Sequence, residues 1–534
     1  MTSPGGAAAI VAAVAAVEAG DLDRAAAVAA ITAADIESAL HAGVDSGAAQ
    51  VLTTGIGASP GAAAGHICFT ADDVLDTADR GERALLVCKE TSPADEIGMR
   101  LAEGILTATG GMASHAAVVA RGWGIPAVCG AEAMVFGGDH VTIGDVTLRA
   151  GDLLTIQGAS GEVMLEAGEV SDDDDVPDQL EILLGWADEI RGERLGIRTN
   201  ADTGPDAARA REFGAQGIGL CRTEHMFLGA RLPLVQRMIL ATTEDEEAVA
   251  LEALHRVQRE DFVAVLEAMD GLPVTVRLLD PPLHEFLPDI RELVAGDALG
   301  TLTAEERALF DAARSWAEVN PMLGTRGVRL GVIKNGLYRM QVRALCDAAG
   351  DRIAAGGSPV LEIMIPLVVT GLELALVRRW VRSEVAAAEQ RIGHTLDVRI
   401  GTMIETPRAA LCAGDIAGEA DFFSFGTNDL TQMVFGFSRD DVTTRVIAPY
   451  IERGLLVGDP FESLDIDGVG VLVEQGVRSG RAAKADLKIG VCGEHGGDPA
   501  SIAFFVASGF DYVSCSPFRV PVARLAAAQA ILAS

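Results

Sequence analysis

Apolar residues recur with two different periods along the chain. At the start they follow helical spacing, which predicts helices over residues 8–17 and 23–41, the second ending near His41-Ala42-Gly43. Between Val51 and about Ala167, short β-type runs alternate with glycine-rich turns. The predicted strands include Ala84–Cys88, Gly104–Thr107, His140–Ile143 and Leu153–Ile156. We therefore expect a helical connector over residues 1–50 and a compact α/β domain over residues 51–168.

The second half of the chain repeats a strand followed by a helix, after an acidic linker and an entry helix over residues 169–194. The apolar or β-branched runs that predict its strands are Leu195–Asn200, Gly217–Cys221, Val274–Leu279, Val360–Ile365, Arg399–Ile404, Phe422–Phe425 and Leu487–Val491. Short runs with helical crossovers are typical of a parallel sheet, and a segment of about 340 residues suits a (β/α)8 barrel with insertions. The predicted fold class is α/β, with a TIM barrel over residues 195–534.

Composition indicates which kinds of partner and which cellular compartment suit this protein. The 42 basic and 77 acidic residues give a net charge of −35, which repels nucleic acid and anionic lipid at long range. No run of 18 or more apolar residues predicts a membrane span. The eight cysteines include no CxxC pair, which indicates a reducing cytoplasm. We expect a cytoplasmic protein with no nucleic acid or membrane partner, in which any anionic substrate meets a local cluster of arginines.

The first candidate for chemistry is the glycine-rich stretch from Gly110 to Gly122. Its first glycines let backbone N–H groups approach an anion, Ser114 is a candidate N-cap, and His115 falls in the first turn of a helix ended by Gly122. The helix dipole and free N–H groups would stabilise a phosphoryl group there. The pattern thus indicates a nucleophilic imidazole beside a phosphate site. A capping histidine on an ordinary helix is the alternative reading.

The second candidate is a set of polar residues that follow the predicted barrel strands, at the end where barrel active sites form. Glu405 and Asp429 lie one β-α unit apart and suit Mg2+ held together with substrate oxygens. Arg222 and Arg277, joined by Arg326 from the segment 320–327, offer fork-shaped donors to a phosphate and a carboxylate. Cys492, which we place at the end of the last strand, has a thiol that can exchange a proton with an enolate carbon. Taken singly, these residues also fit ion pairs, a core acid or a small core hydrophobe.

Long motifs in these regions resemble those of the pyruvate, phosphate dikinases, within the wider family of phosphoenolpyruvate (PEP)-utilising enzymes. The matching stretches are TATGGMASHAAVVARG (107–122), GIGLCRTEHMF (217–227), VRLLDPPLHEFLP (276–288), NPMLGTRGVRLG (320–331), GTMIETPRAAL (401–411), FFSFGTNDLTQMVFGFSRDD (422–441) and GVCGEHGGDP (490–499). The resemblance implies a swivelling phosphohistidine β/α domain followed by a TIM barrel that binds PEP and pyruvate, and a homodimer formed through the barrel.

The resemblance also implies a role for each site residue. His115 accepts the phosphoryl group, and the three arginines hold PEP. Thr427 and Asn428 contact the substrate, Glu405 and Asp429 bind both substrate and Mg2+, and Cys492 protonates the enolate to give pyruvate. Two positions depart from the family pattern, since Thr109 stands in place of Arg and Ala113 in place of Thr. Losing a guanidinium and a hydroxyl removes contacts to the phosphate.

Three functions are compatible with this resemblance. The first is a phosphotransferase that interconverts PEP and pyruvate through phospho-His115. Since no ATP site is evident before His115, a separate ATP-grasp protein would supply the nucleotide half-reaction. The second is an Enzyme I-like donor to a carrier protein, but Enzyme I carries a helical insertion that residues 51–167 do not show. The third is a PEP or pyruvate sensor without turnover, which is expected to lose barrel-mouth residues that this chain retains.

Overall fold

The computed structural model describes residues 6–40, 50–91, 95–111, 114–165, 178–227 and 229–534. Its backbone divides into two units. The first unit comprises the described residues of Met1–Glu193, Phe437–Ser463 and Pro521–Ser534. The second, called the barrel unit here, comprises Arg194–Gly436 and Leu464–Val520, again within the described residues. The boundaries at residues 50, 168 and 194 stay predictions, and residue 168 lies outside the described residues.

Three helices open the first unit, where the sequence predicted two. They are Gly6–Glu18, Arg24–Ala30 and Ala33–Ala39. The single helix expected over 23–41 is wrong because Thr32 begins a new one: its hydroxyl accepts the N–H of Asp35, whose carboxylate accepts the N–H of Thr32. The expected end at 41–43 lies outside the described residues. These helices share one apolar core with the helices Asp178–Arg191 and Val520–Leu532.

A mixed eight-stranded sheet forms the centre of the first unit. In spatial order its strands are Gln50–Thr54, Glu162–Leu165, Leu153–Gln157, Ala62–Cys68, Ala84–Cys88, Gly104–Thr107, Ala127–Cys129 and Ile56–Ser59. A three-stranded antiparallel sheet is formed by Met134–Phe136, His140–Ile143 and Val146–Arg149. The helices of this part are Ala71–Asp79, Glu96–Leu101 and His115–Trp123. The neighbouring strands Ala84–Cys88, Gly104–Thr107 and Ala127–Cys129 are parallel, so their carboxyl ends lie at one edge of the sheet. The helix that begins at His115 starts from this edge.

The barrel unit closes eight parallel strands into a barrel, which confirms the predicted fold class. The strands are Gly196–Asn200, Ile218–Arg222, Pro273–Arg277, Val360–Ile365, Val398–Ile404, Phe422–Phe425, Lys488–Val491 and Tyr512–Cys515. The sequence predicted seven of them. The eighth, Tyr512–Cys515, was not predicted, because Ser514 and Cys515 end its apolar run after two residues. Val513 pairs with Ile197 on one side and Val491 on the other, which closes the ring. Cys492 therefore follows the seventh strand, and its expected place after the last strand is wrong.

Helices follow the barrel strands and surround them. In the barrel unit they are Gly204–Glu212, Leu232–Leu240, Glu244–Ala268, Ile290–Leu299, Ala304–Trp316, Gly327–Ile333, Asn335–Ala354, Gly371–Ile392, Pro407–Leu411, Ala413–Ala417, Thr427–Phe435, Val471–Ala483 and Pro499–Ala507. Two short helices of the first unit, Arg439–Val442 and Ala448–Glu452, interrupt this series. Among the described residues, each helix is too short or too polar to span a lipid bilayer.

The barrel interior is filled by side chains, as in other barrels of this size. One layer is polar: the Arg198 guanidinium lies 2.6 Å from a Glu362 carboxylate oxygen and 4.1 Å from the Tyr512 ring centroid. Lys488 also reaches Glu362, at 3.3 Å. Burial alone would raise the pKa of Glu362, but Arg198 outweighs it and lowers the pKa to about 2. The carboxylate is therefore ionised at neutral pH and compensates a buried cation.

We expect Glu362→Ala to destabilise the barrel unit by about 3–5 kcal/mol, because it leaves the buried Arg198 without its counter-ion. Urea unfolding followed by tryptophan fluorescence measures this change. Glu260→Ala, on an exposed helix face, is the control and should alter stability by no more than about 0.5 kcal/mol. Equal unfolding midpoints for the parent and Glu362→Ala would contradict the assigned role of this ion pair.

Candidate active site

The histidine helix begins as the sequence predicted. Ser114 has extended backbone angles and its hydroxyl accepts the N–H of Ala117 at 3.3 Å, so it is the N-cap. His115 is the first helical residue, with its backbone in the first turn. The predicted end at Gly122 is wrong: the helix continues to Trp123 and ends at Gly124, whose φ of 70° lets its N–H bond back to the carbonyl of Ala120.

The loop before His115 is fastened to its neighbouring strands. The N–H and hydroxyl of Thr109 both donate to the Lys89 carbonyl at 3.0 Å, and the Thr107 hydroxyl donates to the Thr109 carbonyl at 2.8 Å. Gly110 has a φ of 107°, and a Cβ there would lie 2.9 Å from the Cβ of Ser114. This position therefore requires glycine. Thr109 is thus a loop anchor, while Ala113 lies outside the described residues.

At the barrel mouth, five side chains form a row of alternating charge. Arg277 ends the third barrel strand and pairs with Glu224 on one side and Asp280, at 3.1 Å, on the other. Arg326 pairs with Asp280 as well, and its guanidinium lies 3.2 Å from Asp429. Burial would lower the pKa of both arginines, but the surrounding carboxylates raise it. The structure therefore brings Arg277, Arg326 and Asp429 together, through an aspartate that the sequence had not singled out for a role.

Glu405 lies next to this row and is 2% exposed. One of its oxygens accepts the N–H of Leu367 at 2.6 Å. Leu367 has a φ of 55° and is the one non-glycine residue with positive φ in the described part of the chain. Such backbone strain is concentrated at functional sites. Burial, Asp280 and Asp429 together raise the pKa of Glu405 to about 8, and burial raises the pKa of Asp429.

These carboxylates fit a divalent cation. Glu405 is buried and Asp429 is half-buried, and a nearby cation stabilises the ionised form of such carboxyl groups. Carboxylate oxygens with further positions for substrate and water are typical of Mg2+. No group of three or more His, Cys, Asp or Glu residues with metal-binding geometry occurs among the described residues. The donor set of Glu405 and Asp429 therefore fits a cation that takes its remaining ligands from a substrate.

Four buried polar atoms at the mouth have no hydrogen-bond partner among the described residues. They are Glu224 Oε2, Arg277 Nε, Asp280 Oδ1 and Arg326 Nε. Each such atom costs free energy unless something binds it, so native proteins contain few of them. Their concentration on one row of charged side chains points to a polar ligand at this place.

Arg222 differs from the other two arginines. It ends the second barrel strand, and its guanidinium lies 3.9 Å from the Asp202 carboxylate. The same carboxylate accepts the backbone N–H of Arg222 at 2.6 Å and is 2.8 Å from Nδ1 of His225. The side chain of Arg222 is 26% exposed, compared with 10% for Arg277 and 14% for Arg326.

Thr427 and Asn428 follow the sixth strand and hold the loop after the seventh. The Thr427 hydroxyl is 2.7 Å from Nδ1 of His495, and the Asn428 side-chain oxygen accepts the N–H of Glu494 at 3.0 Å. A Cβ on Gly493 would lie 2.1 Å from the Thr427 hydroxyl, so this close approach requires glycine. Thr427 is fully buried, whereas Asn428 is half-buried at the mouth.

Cys492 lies on the apolar side of the mouth. It packs in a cluster of buried residues together with Leu220, Met364, Met403 and Phe422. Burial raises the pKa of its thiol to about 11. The thiol therefore keeps its proton at neutral pH, as a proton donor must. Its backbone carbonyl accepts the Asn200 side-chain N–H at 3.1 Å, and the Ser514 hydroxyl donates to Asn200.

The sequence analysis missed the acidic partners of the arginines. Asp280 follows Arg277 by three residues and Glu224 follows Arg222 by two, both directly after strands, so the strand-end rule already pointed to them. Asp202 and His225 likewise follow the ends of barrel strands. What the sequence did not contain was the direction of each side chain, which decides which carboxylate meets which arginine.

Comparison with known proteins agrees with this geometry. The family described as PEP-utilising enzyme, PEP-binding domain, matches residues 183–532, and the PEP-utilising enzyme mobile domain matches residues 81–161. The chain belongs to the family of PEP-utilising enzymes. This confirms the predicted family and the order of a mobile domain followed by a barrel.

Several relatives of this chain are plant proteins. It is 51% identical over 490 residues to a pyruvate, phosphate dikinase, chloroplastic, of Flaveria bidentis, covering 90% of this chain and 51% of that protein. It is 50% identical over 489 residues to pyruvate, phosphate dikinase 1, chloroplastic, of Arabidopsis thaliana, covering 91% of this chain and 50% of that protein. Pyruvate, phosphate dikinase 2 of Oryza sativa subsp. japonica is 46% identical over 536 residues, or 99% of this chain and 60% of the relative. The chain spans about half the length of these relatives.

The raised pKa of Glu405 predicts proton release on cation binding. At pH 7 this carboxyl is mostly protonated, because its pKa is about 8, and it must ionise to bind a divalent cation. We expect the apparent enthalpy of Mg2+ binding to vary with the ionisation enthalpy of the buffer. Calorimetric titration in several buffers at pH 7 measures the number of protons released.

Glu405→Gln should remove most of this release, whereas Glu305→Gln, on an exposed helix, should leave it unchanged. A parent protein that binds Mg2+ with the same enthalpy in every buffer would contradict the shifted pKa.

Proposed function

We propose that this chain carries out the PEP–pyruvate half-reaction of a pyruvate, phosphate dikinase, in which the phosphoryl group of PEP moves to His115. The observation that carries the proposal is the barrel-mouth row of arginines and carboxylates, in which four buried polar atoms have no partner within the described part of the chain. A small anion with a carboxylate and a phosphate offers acceptors to such donors. The relatives that are named pyruvate, phosphate dikinases support the choice of substrate.

In this proposal the arginines divide the work of binding. Arg277 is buried, Arg326 is half-buried, and both are already oriented by Asp280, so they bind the substrate with little loss of side-chain entropy. Arg222 is more exposed and extends toward a substrate anion from the end of the neighbouring strand. Asn428 contacts the substrate from the sixth strand, and the buried Thr427 supports it. Together these donors orient PEP and neutralise part of its charge.

Glu405 and Asp429 are the residues that would hold Mg2+. When bound, the ion neutralises charge on the phosphate and on the enolate oxygen. The two carboxylates contribute hard oxygen ligands. Burial raises the pKa of both, and the negative charge of Asp280 raises it further, so a bound cation would favour their ionised forms. Asp280 keeps the neighbouring arginines in place beside them.

The transfer moves one phosphoryl group and one proton. An imidazole nitrogen of His115 bonds to phosphorus, the bond between phosphorus and the enol oxygen breaks, and its electron pair stays on the oxygen of pyruvate enolate. The Cys492 thiol then gives its proton to the methylene carbon, which yields pyruvate and a thiolate that water reprotonates. The apolar surroundings of Cys492 favour this neutral donor.

The remaining features of the proposal extend beyond the two sites. The phosphoryl group of phospho-His115 passes to a nucleotide bound by a separate ATP-grasp protein. A homodimer through the barrel and a cytoplasmic location stay predictions. The names of the Flaveria and Arabidopsis relatives place those proteins in the chloroplast.

We expect PEP labelled in its phosphate to label His115 in the presence of Mg2+. Mass spectrometry under alkaline conditions should find one acid-labile phosphate on the peptide that contains His115. His115→Ala should abolish the label, while His394→Ala, at an exposed loop, should retain it. Label that persists in His115→Ala would contradict the proposed acceptor.

We expect Cys492→Ala to bind PEP as the parent does but to form pyruvate roughly 10²–10⁴-fold more slowly, the usual effect of removing a positioned general acid. Exchange of pyruvate methyl protons with solvent, followed by NMR, should fall in parallel. Cys346→Ala, which removes a thiol buried in a helix, is the control. If Cys492→Ala exchanged these protons at the parent rate, the thiol would not be the proton donor and its role would be limited to packing.

A further inference from the structure

Arg222 is the one substrate arginine in our proposal that is not in a close ion pair. Arg277 and Arg326 each contact a carboxylate directly, whereas the Arg222 guanidinium stops 3.9 Å from Asp202. A hydrogen-bonded ion pair has a separation of about 2.7–2.9 Å. The guanidinium of Arg222 is therefore close to a buried carboxylate with which it does not form a hydrogen-bonded ion pair.

His225 contacts the same carboxylate group, that of Asp202. The side chain of Asp202 is 8% exposed and offers two oxygens. One oxygen accepts the backbone N–H of Arg222 at 2.6 Å, and the other is 2.8 Å from Nδ1 of His225. Burial would raise the pKa of Asp202, but His225 and Arg222 lower it, so the carboxylate is ionised. An ionised carboxylate only accepts hydrogen bonds, and Nδ1 therefore carries the proton.

The backbone fixes all three positions. Asp202 follows the first barrel strand and Arg222 ends the second, and these two strands are paired neighbours. His225 begins a short 3-10 helix whose next residues, Met226 and Phe227, are 6% and 1% exposed. The imidazole is thus held against Asp202 by a turn that is anchored in the core. The guanidinium of Arg222 and the imidazole approach the same Asp202 oxygen, Oδ2.

We propose that His225 is a positioning residue that occupies Oδ2 of Asp202 and thereby keeps the guanidinium of Arg222 available to the substrate. The inference rests on the proposed PEP chemistry. Without the imidazole, the freed carboxylate oxygen attracts the guanidinium of the same strand end, and a charge-assisted hydrogen bond forms between them. PEP must then break that ion pair before Arg222 can bind it.

The test compares two replacements of His225. His225→Phe keeps a ring but has no N–H, whereas His225→Asn keeps an N–H donor near the position of Nδ1. We expect His225→Phe to raise the Kd for PEP, and the PEP concentration that gives half-maximal labelling of His115, by about tenfold or more. The labelling rate at saturating PEP should stay within about threefold of the parent. His225→Asn should bind PEP within about threefold of the parent, and so should the control His394→Phe.

A second variant separates this competition from general damage. Adding Asp202→Asn to His225→Phe removes the negative charge that captures Arg222 but keeps an oxygen to accept its backbone N–H. We expect the double variant to recover most of the PEP affinity that His225→Phe loses. A purely structural role of His225 predicts the opposite, because the second substitution would add to the damage. Should the Phe variant not fold, His225→Ala provides the same comparison.

The outcomes distinguish this inference from the proposed function. A parent that binds PEP and is labelled, together with unchanged affinity in His225→Phe, overturns the role of His225 and leaves the function standing. A double variant that binds PEP more weakly than His225→Phe also overturns it. A parent that neither binds PEP nor becomes labelled overturns the proposed function, and the inference with it.

Discussion

The arrangement of the barrel mouth depends on one buried carboxylate, that of Asp280, which is shared by Arg277 and Arg326. Two guanidinium groups this close would repel each other in a medium of low dielectric constant, and Asp280 compensates both. Burial would raise its pKa, yet the two arginines lower it. Its backbone carbonyl also accepts the N–H of Gly327 at 2.7 Å, which fastens the loop that carries Arg326.

The segment that carries Asp280 is itself held from outside the barrel. The preceding residue, Leu279, donates its N–H to Gln341 and accepts the hydroxyl of Tyr338, each at 2.9 Å. Both side chains belong to the helix Asn335–Ala354. The position of this helix therefore fixes the segment that carries Asp280. Cys492, in contrast, packs against buried apolar side chains, so charged and apolar groups both occur at this end of the barrel.

The sequence predicted the large features of this structure because they follow from periodicity and from one rule of barrel architecture. Arg222 and Arg277 end strands and Glu405 and Cys492 follow them, and a parallel barrel gathers strand ends. Arg326 lies in a loop before the helix Gly327–Ile333 instead. The errors arose where local chemistry decides. Thr32 and Asp35 form a Thr-x-x-Asp cap that was visible in the sequence, whereas the termination at Gly124 rather than Gly122 depends on a backbone angle. The ion pairs of Asp280 and Asp202 depend on side-chain directions, which a linear pattern does not contain.

The chain crosses repeatedly between its two structural units, and this has a consequence for how such a protein is inherited and engineered. The first unit comprises Phe437–Ser463 and nearly all of the last helix in addition to the residues before 194. Gln529 of that helix donates to the carbonyls of Val28 and Ile31 at 2.9 and 2.8 Å. Neither unit is thus encoded by one continuous stretch of gene. A recombination that exchanges either one intact needs several breakpoints, so an exchange at a single breakpoint would separate residues that share a core.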